Sequence, residues 1–127
     1  MLIDDNNDDN FFHGREIKKN NPAVIIIVKN SGTDALEYLK AQIYIKEPRP
    51  DLIFLDINMP VMNGWEFLDE YNLLDKELQS RAIIIMLSTS RNPEDEERRV
   101  KWSFVSDFIK KPLTRVNMEV IIKKYFN

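Results

Sequence analysis

The run "DLIFLDINMP", residues 51–60, is apolar almost to its end and there carries a bare carboxylate, Asp56. An acid in that position has two readings: it marks a strand giving way to a turn, or it is a nucleophile held at the mouth of a sheet. The other residues able to do chemistry stand in the same place relative to short apolar runs. Asp4 and Asp5 follow "MLI", Ser88, Thr89 and Ser90 follow "AIIIML", and Lys110 and Lys111 follow "FVSDFI". Only the run at 23–28, which leads into Lys29 and Asn30, brings no obvious reactive group.

If these ends meet, three carboxylates share one rim, and two unit charges about 4 Å apart repel by roughly 4 kcal/mol at an effective dielectric constant of about 20. A cation or a raised pKa must relieve that repulsion. The donors are all oxygens, with no cysteine in the chain and its single histidine, His13, elsewhere, which favours a hard cation such as Mg²⁺. With Mg²⁺ and a lysine beside it, Asp56 would be a nucleophile ready for a phosphoryl group. Capping and turn carboxylates are the competing explanation.

The elements that must position these residues alternate along the chain. Short apolar runs predict strands at 1–3, 23–28, 52–55, 82–87 and 104–109, and helical spacing predicts helices over 9–19, 33–44, 64–77, 94–102 and 115–126. Strands that are apolar nearly throughout belong to a parallel sheet covered on both faces. The expected fold is α/β: one (βα)5 doubly wound domain over 1–127, with the flavodoxin-like strand order 2-1-3-4-5. In that order strands one and three are neighbours at about 4.8 Å, and strand five lies about 10 Å from strand three, within reach of a lysine side chain. Local signals agree. Asn92 is placed as a helix cap with Pro93 after it, Ala35, Leu36 and Leu39 share one helical face, and Pro48 and Pro50 punctuate the approach to the third strand.

A formal charge of −3 gives no general attraction to nucleic acid or an anionic membrane, so neither is an expected partner. No run approaches the roughly 20 apolar residues of a membrane span, and the acidic opening lacks the basic start of a secretory signal. A cytoplasmic location is expected.

The stretches "LIDDN", "GTDALEYL", "DLIFLDINMPVMNGWEFL", "IIIMLSTS" and "DFIKKPL" resemble, in order and over essentially the whole chain, the signatures of the receiver domain of two-component response regulators. The acidic pair, the D-x-x-M-P-x-x-x-G block and the late Lys-Pro together carry the resemblance. It implies that Asp56 accepts a phosphoryl group from a phosphohistidine on a histidine kinase or histidine phosphotransfer protein. Asp5 would bind Mg²⁺ directly, Asp4 largely through water, and Asp56 and the main-chain carbonyl of Asn58 would complete the protein ligands. Lys111 would pair with Asp56 when the site is empty and with phosphoryl oxygens when it is loaded, while Lys110 is a surface charge. Ser88 best matches the switching hydroxyl, with Thr89 and Ser90 as competitors, and Phe108 matches the aromatic that moves with it. The surface built by helix 94–102, strand 104–109 and helix 115–126 would report the change to an output protein. The Lys111–Pro112 bond is a candidate cis peptide.

On this reading the chain is a signalling domain, monomeric or weakly dimeric, that catalyses its own loading and slow autodephosphorylation. It is not an enzyme acting on an external substrate. The alternative is a receiver-like binding module that works without phosphorylation. Two features depart from the family pattern. The first strand has only three residues before Asp4, a residue or two short of the usual beginning, so weak edge support is expected. Thr89 stands where a smaller residue is usual, which is expected to slow loading by small phosphodonors. Elsewhere, His13 is expected to be an exposed helix residue. Of Phe11 and Phe12 one should fill the core, Trp65 and Trp102 should pack or half-pack, and Gly32 and Gly64 should ease the turns into their helices.

Overall fold

A computed structural model of the chain describes residues 1–41, 49–79, 82–89, 93–102 and 104–126, leaving aside the side chains of Glu96 and Arg99. The expectations for Pro48, Ser90, the Asn92 cap and the end of the helix predicted to 44 lie outside the described residues. The strands are β1 (Leu2–Ile3), β2 (Val28–Lys29), β3 (Leu52–Asp56), β4 (Ile83–Ser88) and β5 (Val105–Lys110). The helices are α1 (Asn7–Asn20), α2 (Gly32–Ala41), α3 (Gly64–Asn72), a short α4 (Lys76–Gln79), α5 (Pro93–Lys101) and α6 (Arg115–Tyr125). The five strands form one parallel sheet in the order β2-β1-β3-β4-β5, as the alternation of elements predicts.

Both faces of this sheet are apolar because successive residues of each strand enter different cores. Ile3, Ile53, Leu55, Ile84 and Met86 face the core shared with α2 and α3, where Ala35, Leu36, Leu39, Phe67 and Leu68 are buried. Leu2, Phe54, Ile85 and Leu87 face the other, against Ile17 of α1 and Met118 and Ile121 of α6. Helix α5 is tied to α3 by Trp65 Nε1, which donates to Asp95 Oδ1 at 3.1 Å.

The second strand is shorter than its composition predicts. Residues 24–26 are apolar yet outside the ladder, and Ile27 joins it only through its carbonyl, which accepts from the Leu2 N–H at 2.8 Å, because β1 offers only Leu2 and Ile3 as partners, in register with Val28 and Lys29. Val24 and Ile26 instead pack against the α1/α6 core, while Ile25 is exposed. The helix predicted over 64–77 is also divided. Its C-cap falls at Leu73, and Asp75 heads the next turn, its carbonyl accepting from the N–H groups of Leu78 and Gln79. Aspartate favours helix starts over helix interiors, which accounts for the break.

The loop after β3 holds its shape through close packing. A Cβ on Gly64 would lie 2.7 Å from the carbonyl oxygen of Asp56, and the Gly64 N–H donates to Ile57 O at 2.8 Å. Gly64 is therefore required by the approach of backbone to backbone, with no positive φ involved. Gly32 makes room for the side chain of Met62, a flexible neighbour.

Candidate functional site

The ends of four strands converge at one edge of the sheet. Asp4 follows β1 and is buried; its carboxylate accepts from the Asn6 N–H at 3.0 Å, and its carbonyl accepts from Asn10 Nδ2 at 2.8 Å. Asp56 closes β3 and is also buried. Asp5 is exposed, and the carboxylates of Asp4, Asp5 and Asp56 offer oxygens that all lie within 4.8 Å of one another. Ser88 ends β4 and is buried, and its carbonyl accepts from the Lys111 N–H at 2.7 Å, which fixes the backbone from which the lysine reaches in.

Lys111 Nζ lies 2.7 Å from Asp4 Oδ2, 2.9 Å from Asp9 Oδ2 and 3.3 Å from Asp56 Oδ1. Burial works against its charge, but hydrogen bonds to Asp4 and Asp9 and the charges of Asp4 and Asp56 outweigh that and raise its pKa. Asp56 has the opposite problem. Burial first, and the charge of Asp4 second, push its carboxyl up to about 6, although Lys111 and the Asn58 N–H hold it down. One ammonium shared among three acids leaves the cluster short of positive charge. An all-oxygen donor set with that deficit fits a hard divalent cation, so the acid cluster can hold a metal ion.

Of the other singled-out positions, Asn58 lies at the rim, exposed, with its N–H on the Asp56 carboxylate. Thr89 and Lys110 are exposed, and the Lys111–Pro112 peptide is cis. Phe108 is half-buried against the α2/α3 core, in register with Met86 and one strand over from Ser88 two residues along. Trp65 is buried and Trp102 half-buried. Phe11 is exposed and Phe12 half-buried, its ring edge-on to His13.

Two expectations about α1 change. His13 is buried, 2% exposed, and not a surface residue; desolvation lowers its pKa. The helix starts at Asn7, two residues early, because the Asn6 side chain accepts from the Asp8 and Asp9 N–H groups. That cap sets the helix phase, turns Asn10, His13 and Ile17 inward, and brings Asp9 to Lys111. Asp9 is the site residue that the apolar-run argument misses. The signal available was Asn6, a strong N-cap residue directly before two acids.

The family model described as the response regulator receiver domain matches residues 1–123. The chain belongs to that family. This receiver domain is 40% identical over 112 residues to protein-glutamate methylesterase/protein-glutamine glutaminase 3 of Burkholderia thailandensis, covering 88% of this chain and 28% of that protein. Its fold matches a two-component response regulator from Cytophaga hutchinsonii at a TM-score of 0.85, with 29% identity, covering 97% of this chain and 92% of the other. It also matches the Mn²⁺-bound form of response regulator Rcp1 at a TM-score of 0.67, with 25% identity and coverage of 98% and 91%. Among the curated relatives are proteins of which the receiver domain spans only 7%, 32% and 44% of the length.

Proposed function

We propose that this receiver domain, taken as residues 1–127, accepts a phosphoryl group on Asp56 from a phosphohistidine of a histidine kinase or histidine phosphotransfer protein. The observation that carries this is the pairing of a buried carboxylate with a fixed cation, Lys111 Nζ standing 3.3 Å from Asp56 Oδ1, beside two further acids. An Asp56 oxygen attacks phosphorus, and the O–P bond forms as the donor's N–P bond breaks. The bonding pair stays on the imidazole nitrogen, which takes up a proton from water. Hydrolysis of the acyl phosphate later returns Asp56 and inorganic phosphate, so the chain catalyses its own loading and slow unloading.

Mg²⁺ is the cation that suits the site, held by Asp5, Asp56 and the main-chain carbonyl of Asn58, with Asp4 acting largely through water. When bound it supplies positive charge for the phosphoryl oxygens. Lys111 supplies the second share of that charge. The Ser88 hydroxyl, at the end of the neighbouring strand, turns to the phosphoryl group, and Phe108, one strand over, moves with it. The surface of α5, β5 and α6 then presents the change to an output protein. A monomer or weak dimer in the cytoplasm belongs to the same reading. No described helix is long and apolar enough to cross a membrane, and the charge of −3 gives nucleic acid no hold. The complete set of acids and lysine argues against a binding module that works without phosphorylation.

Intact mass after incubation with acetyl phosphate and Mg²⁺ tests the reading. The native chain should gain one base-labile phosphoryl adduct and Asp56→Asn none. An adduct of equal yield on Asp56→Asn would overturn it.

A further inference from the structure

The three contacts of Lys111 are unequal, and the difference assigns a task to an acid outside the Asp4, Asp5 and Asp56 set. An ammonium carries three hydrogens. Two of them are taken at 2.7 Å by Asp4 and at 2.9 Å by Asp9, and Asp56 is the most distant of the three acids at 3.3 Å. Asp9 is not there by chance of a mobile side chain. Its own N–H donates to Asn6 Oδ1 at 3.1 Å, so the cap that starts α1 fixes the turn from which its carboxylate reaches the lysine.

Asp4 and Asp9 differ in how cheaply they can let go. The Asp4 side chain is 4% exposed and the Asp9 side chain 36%. A buried carboxylate that loses its cation cannot regain water, whereas a partly exposed one can. A phosphoryl group on Asp56 adds charge beyond the carboxylate, and an ammonium drawn toward it from 3.3 Å lengthens one of its two shorter contacts. On these grounds the released partner is Asp9.

We propose that Asp9 is a positioning residue that holds Lys111 on the acid rim of the unloaded site and competes with the phosphoryl group for its ammonium. The inference rests on the reading of Asp56 as phosphoacceptor. Its consequence is kinetic: Asp9 slows loading by keeping the lysine partly engaged elsewhere, and a chain without that carboxylate loads faster.

The test is the rate of loading by acetyl phosphate in Mg²⁺, in which an Asp56 oxygen bonds to phosphorus as the acetyl O–P bond breaks and acetate leaves. It is followed by intact mass in the native chain and in Asp9→Asn, Asp9→Glu and Asp8→Asn. Asp8 is an exposed acid one residue earlier and measures the general effect of removing a negative charge from this turn. At about 0.5 M salt, where exposed charges are screened beyond a few ångströms, Asp8→Asn should match the native rate. Asp9→Asn should load about two- to fivefold faster, the size expected for a half-exposed ion pair. Asp9→Glu, which restores a carboxylate, should bring the rate back toward native. Thermal unfolding of each variant confirms that the comparison is between folded chains, and a merely structural role would not separate the Asn and Glu variants in rate at equal stability. If Asp9→Asn loads no faster than Asp8→Asn, or slower than native, the inference is wrong while the phosphoacceptor reading stands. If the native chain takes no adduct at all, both fall.

Discussion

Asp56 is buried beside Asp4, and that crowding makes the site a local weakness of the metal-free chain. Its carboxyl is pushed from 3.8 up to about 6, burial being the first cause and Asp4 the second. Between those two values the folded chain holds more proton than the unfolded chain. The stabilising contribution of the protonated acid is therefore complete below about pH 4 and lost as the pH rises through about 6. Above that, the folded state carries a charge it disfavours. Asp56→Asn should make the metal-free chain more stable at about pH 7.5, by about 1–2 kcal/mol after allowance for screening at the mouth of the site. Urea unfolding in the presence of a chelator measures this, and a variant equal to or weaker than native would contradict it. At this scale the gathering of Asp4, Asp5, Asp56 and Lys111 was legible because each stands where an apolar run stops. Asp9 and the burial of His13 were not, because both depend on the phase of α1, which the Asn6 cap sets from outside the periodic pattern.

The loop between β3 and α3 shows what an element contributes beyond its reactive residue. Val61 has a φ of 67°, and the Met62 N–H donates to Pro60 O at 2.7 Å across it, a γ-turn of the rare hand. A β-branched residue is strained there, and Val61 is 99% exposed, so its side chain gains nothing from packing in return. Val61→Gly should relieve roughly 1–3 kcal/mol of strain against a glycine entropy cost of about 0.5–1 kcal/mol, a net gain of about 1 kcal/mol. A loss of stability in thermal or urea unfolding would refute the strain. Where α3 gives way to α4, buried Tyr71 donates its hydroxyl to Gln79 O at 2.6 Å, and burial pushes its pKa up to about 12. With the folded value above the unfolded one of 10, this contribution is intact below pH 10 and lost as the pH rises through 12. Native stability should fall by about 2–3 kcal/mol across that window relative to Tyr71→Phe; parallel curves would rule it out. The two-residue β2 was hidden from the sequence because its length is set by what β1 offers, whereas the helix break has a local signal in Asp75 that helical spacing alone passes over.

Across the whole molecule, the strand order and both cores were readable because they follow from one pattern, apolar runs without polar alternation separated by helical segments. A sheet wound that way must bring the ends of β1, β3, β4 and β5 to one edge, and the chemistry follows from that placement. Ionic partners 107 residues apart, Lys111 and Asp4, meet at 2.7 Å because the strands of the open sheet lie in that order. The central claim is that this edge loads a phosphoryl group on Asp56. The most direct measurement is borohydride reduction of the chain after acetyl phosphate and Mg²⁺, which converts an acyl-phosphorylated aspartate to homoserine, followed by peptide mapping. Homoserine is expected at position 56 and nowhere else; homoserine at position 4, 5 or 9, with Asp56 intact, would overturn Asp56 as the phosphoacceptor.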